Sequence, residues 1–183
     1  MNENELLPER KLHRLKSWDY SQNGYYFITV CTKDKKQLLA KVGNAVPGVP
    51  KNSLNLHLTP IGKIVKTAWE GISKIDDNIK TDLFCIMPNH IHGIIIIENQ
   101  EYDVSEAERR GRRSLQDIVR GFKSVSTREY NKIVPESEKN KLWQSSFYDE
   151  IIRNDQMLYE ARKYIKYNHL KHYSGRLFKG NDL

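Results

Sequence analysis

The sequence predicts an α+β fold: an antiparallel sheet of four to five strands with helices packed on its faces. Three observations carry that reading. The element order is strand, short strand, helix, strand, strand, helix, strand, helix, without the repeated βαβ units of a doubly wound parallel sheet. The middle of the chain, Phe84 to Ile97, reads as strand, tight turn, strand, because Pro88 fixes φ and Asn89 tolerates unusual backbone angles. The helical segments carry their apolar residues on one stripe, so each has a single face to bury.

In chain order, residues 1–22 are polar and basic, with Arg10, Lys11, Arg14 and Lys16 ahead of Trp18 and Tyr20. They predict an arm on the domain surface that either touches nucleic acid or packs through its aromatics. Gly24 to Thr32 is β-branched and aromatic throughout and is the first clear strand. Residues 43–53 hold two prolines and two glycines and read as a loop. Leu54 to Leu58 alternates and suits a short strand, with His57 on its exposed face. Thr59-Pro60 opens a helix as cap and first-turn residue, and Ile61, Ile64, Val65, Ala68 and Ile72 form its apolar stripe. The isoleucine-rich runs on both sides of Pro88-Asn89 are expected to be buried on both faces.

Residues 99–113 are highly charged and predict a mobile basic loop, with Arg109, Arg110, Arg112 and Arg113 as candidate phosphate contacts. Ser114 and Asp117 resemble a capping box; the helix behind them buries Leu115, Ile118, Val119, Phe122 and Val125 and shows Arg120, Lys123 and Arg128 on its other side. Leu142 to Arg153 is extended and adds an edge strand. Asn154-Asp155 starts the last helix, with Met157, Leu158, Ala161, Tyr164, Ile165 and Asn168 on one stripe. Residues 174–183 are a short basic tail, and the whole chain, 1–183, is expected to form one domain.

The chain has 183 residues and a formal net charge of +7, which favours a polyanionic partner, nucleic acid first. A solvated basic surface is the plainer reading of the same charge. No apolar run reaches the roughly 18 residues of a membrane span, and the acidic N-terminus is not a signal peptide. The two cysteines, Cys31 and Cys85, fall in predicted strands and read as buried reduced thiols, so a cytoplasmic location is expected.

His90 and His92 stand two apart where a strand begins, so both imidazoles face one side of the sheet. From the spacing alone, a metal site and a pair of satisfied core histidines are both open. Two imidazoles cannot complete a metal site. Tyr164 and Asn168 share a helix face, about 6 Å apart along its axis. Of the ten tyrosines, Tyr164 alone has an Asn or Gln four residues later. A core tyrosine and a hydrogen-bonded helix-end asparagine would account for the same residues.

The segment Met87-Pro88-Asn89-His90-Ile91-His92-Gly93 resembles the His–hydrophobic–His (HUH) motif of single-tyrosine transposases. Trp143-Gln144 with Phe147 to Asn154 resembles the corresponding segment of REP-associated tyrosine transposases, relatives of the insertion-sequence-200-like enzymes. Tyr164 to Lys171 resembles that family's tyrosine-bearing helix. The likeness runs from about Trp18 to His172, with two departures: His169 follows Asn168 where the family commonly has proline, and the tract from Val42 to Leu58 is long.

The resemblance implies a ferredoxin-like or RRM-like core whose C-terminal helix carries the nucleophile Tyr164. It implies a divalent ion, Mg²⁺ or Mn²⁺, held by His90, His92 and Asn168, with His169 or His172 as other third ligands. It implies cleavage and rejoining of single-stranded DNA through a 5′-phosphotyrosine, at hairpin-forming repeats contacted by Arg120, Lys123 and the arginine loop. A homodimer is possible in such a family, with the tyrosine supplied in cis or in trans. Three other readings stand beside this one. They are a non-catalytic hairpin- or RNA-binding module of the same fold, a domesticated relative that no longer cuts, and a metal-dependent hydrolase that uses water.

Overall fold

The computed structural model describes Leu15 and residues 17–42, 56–99 and 112–171, and for Val42 and residues 168–171 the backbone alone. β1 (Gly24–Cys31) is the inner strand on which the sheet is laid out. It pairs antiparallel with β5 (His90–Ile97) on one side and with β6 (Tyr148–Ile152) on the other. β4 (Ile79–Met87) completes the sheet beyond β5, giving the order β4-β5-β1-β6. The antiparallel α+β expectation therefore holds, with four strands in the main sheet. β2 (Ala40–Val42) and β3 (Leu56–Leu58) form a separate two-stranded ribbon. Its backbone is tied to the β4–β5 turn where Leu39 N–H donates to the Pro88 carbonyl at 2.9 Å.

The alternation of side chains along β1 and β5 divides the core into two layers. Tyr26, Ile28 and Val30, with Ile91, Ile95 and Ile97, face α1 (Pro60–Glu70) and α2 (Leu115–Asn131). Tyr25 and Phe27, with Ile94 and Ile96, face α3 (Asp155–Lys171).

The first layer is closed by Trp69, which is 1% exposed and lies against Phe84 and Phe122 with ring centroids at 5.6 Å in each case. Gly93 makes room for it: a Cβ there would stand 2.3 Å and 2.5 Å from two Trp69 ring carbons. α1 comes equally close to the ribbon, since a Cβ on Gly62 would lie 1.9 Å from the Leu39 carbonyl oxygen.

The caps follow the sequence. Thr59 Oγ1 accepts from Gly62 N–H at 3.0 Å with Pro60 in the first turn, and Ser114 and Asp117 form a full capping box. Asn154 Oδ1 accepts from Met157 N–H at 2.9 Å and starts α3. Part of the arm is structural: Trp18 Nε1 donates to Tyr26 Oη at 3.3 Å, and Tyr20 is buried.

Four expectations change. β4 is an edge strand and only part-buried, because nothing pairs with its outer side, whereas β5 is buried along its length as expected. Val125 is 37% exposed, since α2 turns that position toward α1's rim and not into the sheet. Cys31 and Cys85 are free thiols but half-buried. The strand expected over Leu54–Leu58 is described from Leu56 and has an unforeseen partner in β2.

Candidate active site

The second layer is where the side chains change character. On β5 the residues facing α3 run His90, His92, Ile94, Ile96, so the same alternation that buries two isoleucines brings two imidazoles to the end of the sheet. Met87 pairs with His90 across a two-residue turn, which sets the register of the hairpin. The turn is pinned from β1, because the Asn89 carbonyl accepts from Thr32 N–H and from Thr32 Oγ1, both at 2.9 Å.

The two imidazoles meet edge to face, with ring centroids 4.6 Å apart and their Nε2 atoms at 3.0 Å. Each has a polar partner on its other nitrogen. His90 Nδ1 lies 2.7 Å from Asn89 Oδ1, and His92 Nδ1 lies 2.8 Å from Thr29 Oγ1. His92 is only 6% exposed, and Phe27 stacks on it at 5.4 Å. A ring held from three sides has little freedom to turn, which is what a ligand or a catalytic base requires.

Tyr164 completes the group. α3 leaves β6 at the end of the sheet marked by Ile97 and runs along the layer, burying Ile165 against Ile94, Ile96 and Ile152. Arg162 and Asp82 on β4 form an ion pair at 2.6 Å that holds the helix over the sheet. The Tyr164 hydroxyl then stands 3.4 Å from His92 Nε2, and its ring packs edge-on against His92 and Phe27. Burial pushes this phenol above its ordinary value, and the neighbouring Cys85 pushes it in the same direction.

The donor set suits a divalent cation. Two bonds of about 2.1 Å at right angles put their donors about 3 Å apart, and the two Nε2 atoms are 3.0 Å apart. Among the described residues no group of three His, Cys, Asp or Glu is arranged to hold a metal, so a third donor from them would be of another kind. Asn168 lies one helical turn beyond Tyr164 on α3; its side chain, like those of His169 and His172, lies outside the described residues.

The candidate cations are spread over the molecule. Arg120 and Lys123 line an open groove on α2 with Arg128, Asn131, Asn140 and Trp143. Arg120 pairs with Asp117, while Lys123 Nζ donates to the Gln144 and Ser145 carbonyls at 2.6 Å and 3.0 Å. Arg113 pairs with Asp76 at 3.8 Å, and Arg112 lies near Asp19, whose carboxyl is lowered first by hydrogen bonds from Ser21. Those two arginines flank the Ile97 end of the sheet, away from the imidazoles. Arg109 and Arg110 lie outside the described residues.

Sequence reasoning missed Thr29, Phe27 and the Asn89 side chain. Their part depends on cross-strand register (Thr29 opposite His92) and on a rotamer, neither of which a single sequence displays.

Among known proteins, the chain is 32% identical over 169 residues to an uncharacterized protein of Haemophilus influenzae, covering 87% of each. It is 25% identical over 154 residues to a second protein of that organism, provisionally named a REP-associated tyrosine transposase, covering 84% of this chain and 74% of that one. Its fold is similar to that of a REP-associated tyrosine transposase solved bound to a REP hairpin, with a TM-score of 0.54 at 18% identity, over 87% of this chain and 74% of the other. No helix among the described residues is long and apolar enough to cross a membrane. The family described as "Transposase IS200 like" matches residues 20–168, the stretch that runs from the buried Tyr20 through the imidazole pair to the tyrosine helix. This chain belongs to the IS200-like transposase family.

Proposed function

We propose that the protein is a metal-dependent transposase that nicks single-stranded DNA and rejoins it through a 5′-phosphotyrosine on Tyr164. The observation that carries this reading is the contact of one phenol and two imidazoles within a single chain, at 3.4 Å and 3.0 Å. The fold shared with a hairpin-bound REP-associated transposase supports hairpin DNA at repeats as the substrate. The same module without catalysis is the alternative.

In the cleavage step Tyr164 Oη gives up its proton and attacks phosphorus, the phosphorus–3′-oxygen bond breaks, and the leaving 3′-oxygen takes up a proton to become the 3′-hydroxyl. Attack by a 3′-hydroxyl on the phosphotyrosine reverses the step and rejoins DNA, so no outside energy source is needed. Burial raises the Tyr164 phenol further above neutrality, so the attack requires help in removing its proton. His90, His92 and Asn168 would hold one Mg²⁺ or Mn²⁺. The chemistry such an ion would supply there is Lewis-acid polarisation of the scissile phosphate. Phe27 and Thr29 hold the His92 ring under the tyrosine. Arg120, Lys123 and the arginines at 109, 110, 112 and 113 would contact DNA backbone.

The test uses hairpin DNA from repeats flanking the gene, labelled at either end, with Mg²⁺ or Mn²⁺. Wild type is expected to give a labelled covalent adduct on a denaturing protein gel and Tyr164→Phe none. Equal cleavage by both proteins with no adduct would sink the tyrosine mechanism in favour of a hydrolase. Tight binding without cleavage in either would leave the binding module.

A further inference from the structure

The row of the sheet that holds His92 ends in an aromatic ring with no part in the site so far. Thr29 of β1 pairs with His92 on one side and with Tyr148 of β6 on the other. His92, Thr29 and Tyr148 therefore stand in one row across three strands. Alternation puts Tyr148 on the imidazole face, since Ile152 packs in the α3 layer while Phe147 and Ile151 pack in the other. Neighbouring strands lie about 4.8 Å apart, so the Tyr148 backbone is about 10 Å from that of His92.

Tyr148 is 50% exposed. α3 starts beside β6 but has crossed to β4 by Arg162, which pairs with Asp82, so the helix leaves this corner of the face open. Tyr159 and Tyr167 are also exposed, but they stand on α3, each with a lysine ammonium at 5.6 Å or 5.7 Å from its ring. Tyr148 stands on the sheet itself, in the row of the imidazoles.

The charges along this row favour different parts of a nucleotide at its two ends. β6 carries Asp149 beside Tyr148, and Glu150 is exposed on the same face, opposite Phe27. Two carboxylates disfavour a phosphate there, whereas an aromatic face suits a neutral base, and every base has a face to stack. The imidazole end is the part of the row suited to phosphate.

Resting on the cleavage reading, we infer that Tyr148 is a stacking platform for a base directly flanking the scissile phosphate. The phosphate lies at the imidazoles on β5, and its nucleotide spans β1 to lay the base on the β6 ring. The platform holds the strand in the register that presents one phosphate to Tyr164.

The experiment places 5-iododeoxyuridine at each position in turn in the single-stranded flank of the hairpin DNA used above. Each DNA is bound to the full chain without metal and irradiated, and cross-links are mapped by mass spectrometry. The cut position is read separately, with Mg²⁺ and wild type. A cross-link to the Tyr148 peptide is expected from a position next to the cut. Tyr148→Phe should keep the cross-link and the affinity. Tyr148→Ala should lose the cross-link and bind about 5- to 100-fold more weakly, the usual loss of one stacked base. An abasic site at that position should weaken wild type by a similar factor and cost Tyr148→Ala nothing further.

Cross-links that never fall on Tyr148, or that reach it from two or more nucleotides away from the cut, would overturn the inference. So would an equal loss from Tyr148→Ala on intact and abasic DNA. A Tyr148 cross-link in a wild type that forms no Tyr164 adduct would uphold the platform and sink the cleavage reading alone. Circular dichroism on Tyr148→Ala separates these outcomes from loss of fold.

Discussion

The two faces of the same four strands have been put to opposite uses. Facing α1 and α2, β5 offers Ile91, Gly93, Ile95 and Ile97, and the result is a dry layer closed around Trp69. Facing α3, the intervening residues are His90, His92, Ile94 and Ile96, and the layer is apolar at one end and chemical at the other. One strand supplies both, because its side chains alternate. The sealed face makes the strand rigid, and the rigid strand holds two imidazoles that α3 only partly covers. Stability is thus expected to live mainly on one face and activity on the other, and substitutions on each should separate the two.

The largest separation is between Tyr164→Phe and Trp69→Ala. The first should abolish covalent adduct while shifting stability by about 1 kcal/mol or less, since it removes one hydroxyl. The second should cost about 3–5 kcal/mol in urea unfolding, the usual result of emptying a packed aromatic site. A Tyr164→Phe protein that unfolds as readily as Trp69→Ala would show that the two faces are not separable.

Gly93→Ala sharpens the point, because it changes β5 on the sealed face directly after His92. Its methyl would collide with the Trp69 ring at 2.3 Å, so a loss of about 1–3 kcal/mol is expected from overpacking. His92 should lose activity only as far as the strand shifts, readable as a change in its imidazole resonances.

Arg162→Ala tests how the tyrosine helix is held. The pair with Asp82 is close but its Arg162 partner is 46% exposed, so the cost in global stability should be about 1 kcal/mol or less. Faster amide exchange is expected in α3 and not in α2. Equal protection in wild type and variant would mean that apolar packing alone seats Tyr164.

The smallest effect is in titration. Burial raises the Tyr164 phenol, so the absorbance difference between wild type and Tyr164→Phe, without metal, should show ionisation above the ordinary value of about 10. The linkage sign follows: below about pH 10 the buried neutral phenol is without penalty. As pH rises beyond that, the unfolded chain ionises first and the stability is lost. Ionisation at or below 10 would mean that Tyr164 is not buried as described.

Much of this was legible in the sequence. The Thr59-Pro60 and Ser114/Asp117 caps, the Pro88-Asn89 turn and the spacing of His90 and His92 are local signals, and local signals survive in a single sequence. The burial of Trp69 was not legible, because it depends on the absence of a side chain at Gly93, remote in sequence. The position of β4 at the sheet edge depends on which strands pair, and its isoleucines and phenylalanine read the same in either place. In the site, His90, His92 and Tyr164 were nameable from pattern and resemblance, whereas Thr29 and Phe27 become visible only once β1 is registered against β5. The arginines were nameable too, but their placement at Asp19 and Asp76 follows from tertiary packing.

The most direct measurement is peptide mapping by mass spectrometry after the protein has been trapped on single-stranded hairpin DNA and digested with nuclease. A nucleotide joined through its 5′-phosphate to the Tyr164 peptide is the predicted result. The same mass on Tyr159 or Tyr167, on the same helix, would contradict the assignment of the nucleophile; cleaved DNA with no modified tyrosine would contradict covalent catalysis altogether.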